Sequence, residues 1–350
     1  MIVCNTLTAV VILSYNSLEW HKLFLPKIVE QAASDYDVVL VDHASPDNTA
    51  DYIQAHFPSV KLIRLKKNLG FAGGYAAALE QVSAKYFVLL SADFQVTDNW
   101  FPPLLAAMEK DPQLGAVQPK VRYWKEPELF EYAGAAGGYM DKWGYMFCRG
   151  RVFDRLEKDS GQYNDDVKVF WASGGCFMVR AAAYTAAGGL DTALFAHMEE
   201  IDLCWRLQNR GYTIGAIGNS TVFHVGGSVI SYGSPQKTFY NYRNNLAILV
   251  KNEHAGKLLW LIPWRLVLDG VSCLPFLMKG NFKNILAVLK AHFSFYATLP
   301  YWLRQRKSAR AALKKGHRIS GVFHKSVIVK YFIQKQSTFT QLGIKPETLS

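Results

Sequence analysis

LTAVVILSYN, residues 7–16, carries an unbroken apolar run from Ala9 to Leu13 that ends in a Ser-Tyr-Asn cluster. A short β-branched run with no in/out alternation reads as a strand covered on both faces. The pattern recurs in DVVLVD (37–42), VKLIRL (60–65) and YFVLL (86–90). Helix-like stretches, TADYIQAHF and GGYAAALEQV, lie between these runs. Strands alternating with helices predict an α/β fold, a mostly parallel sheet with helices on both faces.

The strand ends are the informative places. The first closes on Ser14, Tyr15 and Asn16, the second on Asp42 within VDHASPDNT, and the fourth on Ser91, Ala92 and Asp93. Open α/β sheets bind ligands outside the carboxyl ends of their strands. Any one cluster is ordinary turn chemistry; three at neighbouring strand ends point to one crevice. After the third strand, KNLGFAGGYAAAL (67–79) leads Gly70, Gly73 and Gly74 into an alanine-rich helix. Glycines there permit close backbone approach, and the helix start favours an anionic or polar group. The stretch is neither GxGxxG nor a Walker loop, which counts against a dinucleotide oxidoreductase.

Residues 115–170, rich in glycine and aromatics, read as loops lining the crevice. VFWASGGCFMVR (169–180) reads as a strand interrupted at Ser173, Gly174 and Gly175. YTIGAIGNSTVFHVGGS (212–228) reads as a strand pair ending at His224, with glycines behind it. FAHMEEIDLCWR (195–206) crowds Glu199, Glu200 and Asp202 against an apolar flank. Such acids either complement the dipole of a helix start or form a site.

The chain has 350 residues, half of them hydrophobic, enough for a large core. Its five cysteines form no CxxC pair, so a zinc site or disulfide framework is not indicated and a reducing compartment is. The N-terminus lacks the basic segment and cleavage site of a signal peptide, and reads as a buried strand. The net charge of +11 is uneven: residues 301–350 hold eleven Lys and Arg against one acid, and the rest is nearly neutral. A basic tail meets a polyanion, either phospholipid headgroups or nucleic acid. The apolar stretch 258–278 carries Pro263, Arg265, Asp269 and Pro275, so a broken interfacial or re-entrant segment is expected. Phe282, Ile285, Leu286, Leu289, Phe293 and Tyr296 follow at helical spacing. That stripe fits a core-facing helix or, with the basic tail behind it, a helix lying on an anionic membrane. No nucleic-acid recognition fold is visible.

In order, VVILSYN, VDHASPDNT, NLGFAGGYAAAL, SADFQV, GGLDTALFAHMEEIDLCWRLQNRGY, VFHVGGS and FYNYRNNLAILVKN resemble the inverting family 2 glycosyltransferases of GT-A fold, in the branch that includes bacterial rhamnosyltransferases. The likeness runs from about residue 7 to 252. It implies a GT-A domain over 1–252, followed by a helical, basic, membrane-associating region over 253–350. It implies a nucleotide-sugar site using Ser14, Tyr15, Asn16, Asp42, Asn68, Gly70, Ser91, Ser173 and Gly174. Asp93 matches the last acid of the DxD-like motif and, with His224, would hold Mg²⁺ or Mn²⁺. Glu199 and Glu200 match the family's acidic pair, with Glu200 as the general base. Two departures stand out: the DxD-like site, Ser91-Ala92-Asp93, has a single carboxylate, and the base is Glu where the family usually has Asp.

The expected reaction moves a sugar, from dTDP-rhamnose or a UDP-sugar, to a hydroxyl of a glycan or lipid-linked acceptor with inversion, in bacterial cell-surface polysaccharide synthesis. The expected place is the cytoplasmic face of the cell membrane. The alternative is a catalytically inactive partner that binds nucleotide-sugar or membrane in an assembly. Oligomeric state is not legible.

Overall fold

The computed structural model describes residues 1–32, 35–226, 233–314 and 316–349. Gly227 and Ser228 of the His224 motif and Lys315 of the basic tail lie outside them. The apolar runs become strands β1 (Thr8–Ser14), β2 (Asp37–Asp42), β3 (Lys61–Arg64) and β4 (Tyr86–Ser91). β5 (Phe94–Val96), β6 (Leu114–Tyr123), β7 (Val167–Val169), β8 (Cys176–Arg180), β9 (Thr213–His224) and β10 (Glu347–Thr348) complete the main sheet. Its order is β10-β7-β9-β6-β8-β4-β1-β2-β3, with β5 paired to β9. β4, β1, β2 and β3 are mutually parallel, whereas β8 runs antiparallel to both β4 and β6. The strand–helix alternation stops near residue 110, and the parallel half of the sheet stops with it.

Helices α1 (Leu18–Ala32), α2 (Thr49–His56), α3 (Gly70–Leu79) and α4 (Pro102–Lys110) cover the sheet. α5 (Ala181–Ala186) and α6 (Glu199–Asn209) precede β9; α7 (Pro235–Asn252), α8 (Ala255–Ser272), α9 (Leu274–Met278) and α10 (Phe282–Ala311) follow it. The strands supply two cores by simple alternation. Ala9, Val11, Val39, Val41, Phe87 and Leu89 face one side with α3. Val10, Ile12, Val38, Leu40, Val88 and Leu90 face the other, with Leu25 and Ile28 of α1 and Ile53 of α2.

Two expectations about local structure are corrected and a third is refined. Residues 115–170 are not mainly loop: they contain most of β6 and a second sheet. That sheet is built from Gly138–Asp141, Met146–Cys148, Arg151–Val152 and Arg155–Leu156. The strands are too short for a period to show. The described residues of 212–228 do not form a strand pair; β9 is one strand whose register on β6 shifts between Ile217 and Thr221. The apolar stretch is broken as expected, but only at Cys273 ahead of Pro275, where α8 gives way to α9; α8 runs through the charges and Pro263. Arg265 and Asp269, four residues apart, share one face, and both are buried. Arg265 donates to the carbonyls of Trp143 (3.2 Å) and Gly144 (3.3 Å), and Asp269 faces His292 at 3.1 Å.

The tail rejoins the first part of the chain. Val322–Phe323 pairs in parallel with Gly138–Asp141, and β10 pairs with β7. Arg306 donates to the carbonyls of Val250 (2.7 Å) and Glu253 (2.5 Å), and Arg310 to that of Asn252 (3.1 Å). Part of the tail's charge therefore satisfies the open carbonyl end of α7.

A buried ion network ties α6 to α7. Asp202, fully buried, accepts from Arg206 Nε (2.9 Å), Lys251 Nζ (2.9 Å) and Asn252 Nδ2 (2.8 Å). Lys251 also bonds Asp191 at 2.6 Å, and Asp191 accepts from Tyr301 of α10 at 2.7 Å. Burial pushes the Asp202 carboxyl up, but Arg206 and Lys251 outweigh it and hold it near 2. Asp202→Asn leaves two buried cations short of a counter-charge. The expected loss is about 3–5 kcal/mol in chemical denaturation; a loss below about 1 kcal/mol would show that the network is not structural.

Candidate active site

A cavity of about 670 Å³ opens at the carboxyl ends of β1 and β4. Nine expected residues line it: Tyr15, Asn68, Gly70, Ser91, Asp93, Gly174, Glu199, Glu200 and His224. Four do not. Ser14 is fully buried, with its hydroxyl 2.7 Å from His21 Nε2. Asn16 takes a left-handed conformation (φ 52°) and gives its N–H to Ser45 Oγ. Asp42 accepts the Ser45 N–H at 3.3 Å, inside its own turn. Ser173 is buried, donating its hydroxyl to Ala133 O and its N–H to Gln118 Oε1. For Ser14, Asp42 and Ser173 the local fold uses the side-chain polar groups, and for Asn16 it uses the backbone N–H.

Gly70 adopts φ +75°, and a Cβ there would sit 2.5 Å from the Phe195 ring. Asn68 Oδ1 accepts the Gly70 N–H at 2.9 Å, setting the turn that starts α3. Phe195 opens a strained stretch: Phe195, His197 and Met198, none of them glycine, have φ of 65°, 67° and 73°. Positive φ in such residues costs on the order of 1–3 kcal/mol each. Asn244 of α7 holds the stretch in place, its amide donating to the carbonyls of Leu194 (2.9 Å), Ala196 (2.9 Å) and His197 (2.7 Å). The chain then enters α6, and its first turn sets Glu199 and Glu200 on the cavity wall.

Glu199 is buried and Glu200 half-buried. One oxygen of each, Oε2, is buried and has no hydrogen-bond partner. Burial raises Glu199 well above the usual carboxylate range, and the neighbouring Glu200 charge raises it further. Burial also raises Glu200, to about 7, although N–H groups of the helix start and of Gly174 favour its charged form. The two carboxyls titrate as a coupled pair, and burial together with their mutual repulsion works against both being charged at once.

Across the cavity, His224 lies between two acids, with Nε2 3.2 Å from Asp93 and Nδ1 3.1 Å from Glu131. Burial would depress its basicity, but the Glu131 and Asp93 charges raise it to about 10. Among the described residues no group of three or more His, Cys, Asp or Glu side chains is arranged to hold a metal ion. Asp93 and His224 offer two donors. Glu131 on the second nitrogen orients the imidazole as a supporting carboxylate does at metal sites.

No pattern in the sequence marks Glu131, Tyr132, Arg151, His197, Lys237 or Arg265 as site residues. The last five line the cavity, and Glu131 stands behind His224. Lys237 and Arg265 come from helices far along the chain. The others sit in or beside segments with no period to place them.

A family model described as glycosyl transferase family 2 matches residues 9–186, just over half of the chain. The chain belongs to glycosyl transferase family 2. Its Glu199, Glu200 and His224 lie beyond the matched segment. The N-acetylglucosaminyl-diphospho-decaprenol L-rhamnosyltransferase of Mycobacterium tuberculosis is 24% identical over 280 residues, covering 75% of this chain and 89% of the relative. The inactive polypeptide N-acetylgalactosaminyltransferase-like protein 5 of Macaca fascicularis is 25% identical over 229 residues, covering 62% of this chain and 51% of the relative. A crystal structure of GalNAc-T7 with UDP, GalNAc and Mn²⁺ superposes with a TM-score of 0.51 at 18% identity, over 71% of this chain and 48% of that one. The likeness concerns the fold, and this family 2 glycosyltransferase has the GT-A architecture.

A carboxyl raised by folding stabilises the native state below its unfolded pKa, and this benefit is lost as pH rises through the native value. Glu200→Gln removes that loss. The variant's melting temperature relative to the unmodified protein should therefore be higher at pH 8 than at pH 5, by at least about 2 °C. An equal difference at both values would contradict the buried, raised carboxyl.

Proposed function

We propose that this family 2 glycosyltransferase transfers a sugar from a nucleotide-diphospho-sugar to an acceptor hydroxyl with inversion, with Glu200 as the general base. The supporting observation is the unpartnered, buried Oε2 of Glu200 in the same cavity as Asp93 and His224. A carboxyl with a raised pKa is half ionised near neutrality and can take up a hydroxyl proton efficiently. As that proton moves to Glu200, the acceptor oxygen bonds to the anomeric carbon. The bond from that carbon to the leaving diphosphate oxygen breaks, and its electron pair leaves with the nucleotide diphosphate. Asp93 and His224 would hold Mg²⁺ or Mn²⁺, which would neutralise charge on the diphosphate. Tyr15, Asn68, Gly70 and Ser91 would receive the nucleoside and sugar.

The donor is best matched to dTDP-rhamnose, with UDP-sugars next. The acceptor is best matched to a lipid-diphosphate-linked sugar in bacterial cell-surface polysaccharide synthesis, by analogy with what the mycobacterial relative's name states. The test is a panel of dTDP-, UDP- and GDP-sugars with Mn²⁺ or Mg²⁺ and a prenyl-diphospho-N-acetylglucosamine acceptor, scoring nucleotide diphosphate release. Glu200→Gln should lower turnover by about 10²–10⁴-fold, and Asp93→Ala should abolish the metal response. Turnover that survives Glu200→Gln would reject this role for Glu200, and no turnover with any donor would favour the inactive-partner reading.

We also propose that residues 253–350 bring the enzyme to the cytoplasmic face of the membrane as a peripheral protein. The stretch Ala255–Met278 is long and apolar enough to enter a membrane, and little of it is covered by the rest of the chain. Leu259, Val267, Val271, Leu277, Met278, Phe282, Leu286 and Phe293 are exposed along α8, α9 and α10, Leu259 at 82% and Met278 at 87%. Lys257, Lys279, Lys283 and Lys290 lie among them in sequence. Apolar area with interspersed cations suits an anionic bilayer surface. The full chain should sediment with anionic phospholipid vesicles, and L259E/V267E/F293E should reduce the bound fraction at least tenfold. Unchanged sedimentation of that variant would reject this surface.

A further inference from the structure

The cavity wall carries cations that proton transfer from the acceptor does not use. Arg151, on the second sheet, is 93% buried from solvent, at 7% exposure. Its guanidinium lies 3.6 Å from the centre of the Tyr132 ring. Lys237, in the first turn of α7, places its ammonium 5.5 Å from the same ring. All three residues line the cavity. Ser234 caps α7 by accepting the Lys237 N–H at 3.2 Å, with Pro235 in the first turn, so the position of Lys237 follows from the helix start.

The Tyr132 ring packs on the guanidinium, and Tyr132 and Cys148 take up only part of its donor capacity. Two edge groups, Nε and Nη1 of Arg151, are buried and have no hydrogen-bond acceptor. The nearby acid, Glu131, already faces His224 Nδ1 at 3.1 Å and accepts the Ala133 N–H. Buried donors without acceptors are costly, and a ligand with several anionic oxygens would remove that cost. A planar guanidinium edge matches phosphate oxygens two at a time, and an ammonium adds a point charge beside it.

We infer that Arg151 and Lys237 form a diphosphate-binding subsite of the cavity. The inference rests on the sugar-transfer reading, which brings two diphosphates here: that of the nucleotide donor and that of a lipid-linked acceptor. The cavity extends to Arg265, Asp269 and Ser272 on the inner face of α8, whose outer face is apolar. A prenyl chain leaving the cavity along that helix would keep its diphosphate inside. The donor's diphosphate would approach from the Asp93 side.

The test is calorimetric binding to the full chain: unmodified, K237M, R151M, R151K and R151M/K237M. One arm titrates dTDP and UDP with Mn²⁺, against thymidine and uridine. The other titrates farnesyl diphosphate against farnesol in matched detergent micelles. The double variant should lose at least tenfold in affinity in one diphosphate arm and bind the phosphate-free partners as before. R151K should recover part of the loss. A loss in the nucleotide arm assigns the subsite to the donor, and a loss in the prenyl arm assigns it to the acceptor. The inference is overturned if a folded double variant binds every diphosphate within twofold of the unmodified protein, or if the unmodified protein binds none. If R151M does not fold, K237M alone must lose at least threefold, and less than that also overturns the inference. Diphosphate binding lost in the variants without any sugar turnover in the unmodified chain would refute the function and leave the subsite standing. Turnover that depends on Glu200 but is indifferent to Arg151 and Lys237 would do the reverse.

Discussion

The candidate site depends on Asp202 being ionised where no water reaches it. Its carboxylate is held by Arg206, Lys251 and Asn252, and through Lys251 it is tied to Asp191 and on to Tyr301. Four separated segments meet at that charge. The stretch before α6 is strained at Phe195, His197 and Met198, and strain persists only where the surroundings over-determine it. The ion network fixes α6 from behind, and the Asn244 amide fixes the carbonyls before it. Between them they hold Glu199 and Glu200 in a position that their own burial disfavours.

The three acids of that helix start have opposite fates for one reason, the company each keeps. Asp202 points to two cations and stays charged at low pH. Glu199 and Glu200, three and two positions earlier in the turn, line a cavity, and burial raises both carboxyls. Environments that push neighbouring acids apart in this way separate a structural charge from a proton acceptor. His224 follows the same logic with the sign reversed, since flanking carboxylates favour its protonated form as long as no metal cation takes the proton's place.

The C-terminal helices divide their polarity across one axis. Arg265 and Asp269 turn inward, where Trp143, Gly144, Asn245 and His292 satisfy them. Leu259, Val267 and Val271 turn outward. In linear sequence the charges argue against a continuous apolar helix; on the folded helix they leave one face apolar from end to end. The same segment thus closes the back of the cavity and presents a greasy exterior.

Much of the parallel half was legible in the sequence. The runs at 8–14, 37–42 and 86–90 are buried on both faces, and such strands announce themselves by being largely apolar; the run at 60–65 proves to be the sheet's edge, with Lys61 half-buried and Arg64 exposed. The polar residues after them are legible because a strand end is the only place such a sheet can show them. The rest depends on contacts between distant segments. The short strands of 138–156 have no period to read, and Glu131 and Arg151 become site residues only when that sheet folds over the end of β9. Ser14 and Ser173, polar and well placed in sequence, are drawn inward by His21 and Gln118. Alternation and apolar runs along the chain mark where a site can lie. Which carboxylates are paired and which are left in the cavity follows from folding, because a charge's state depends on neighbours that the chain brings from far away.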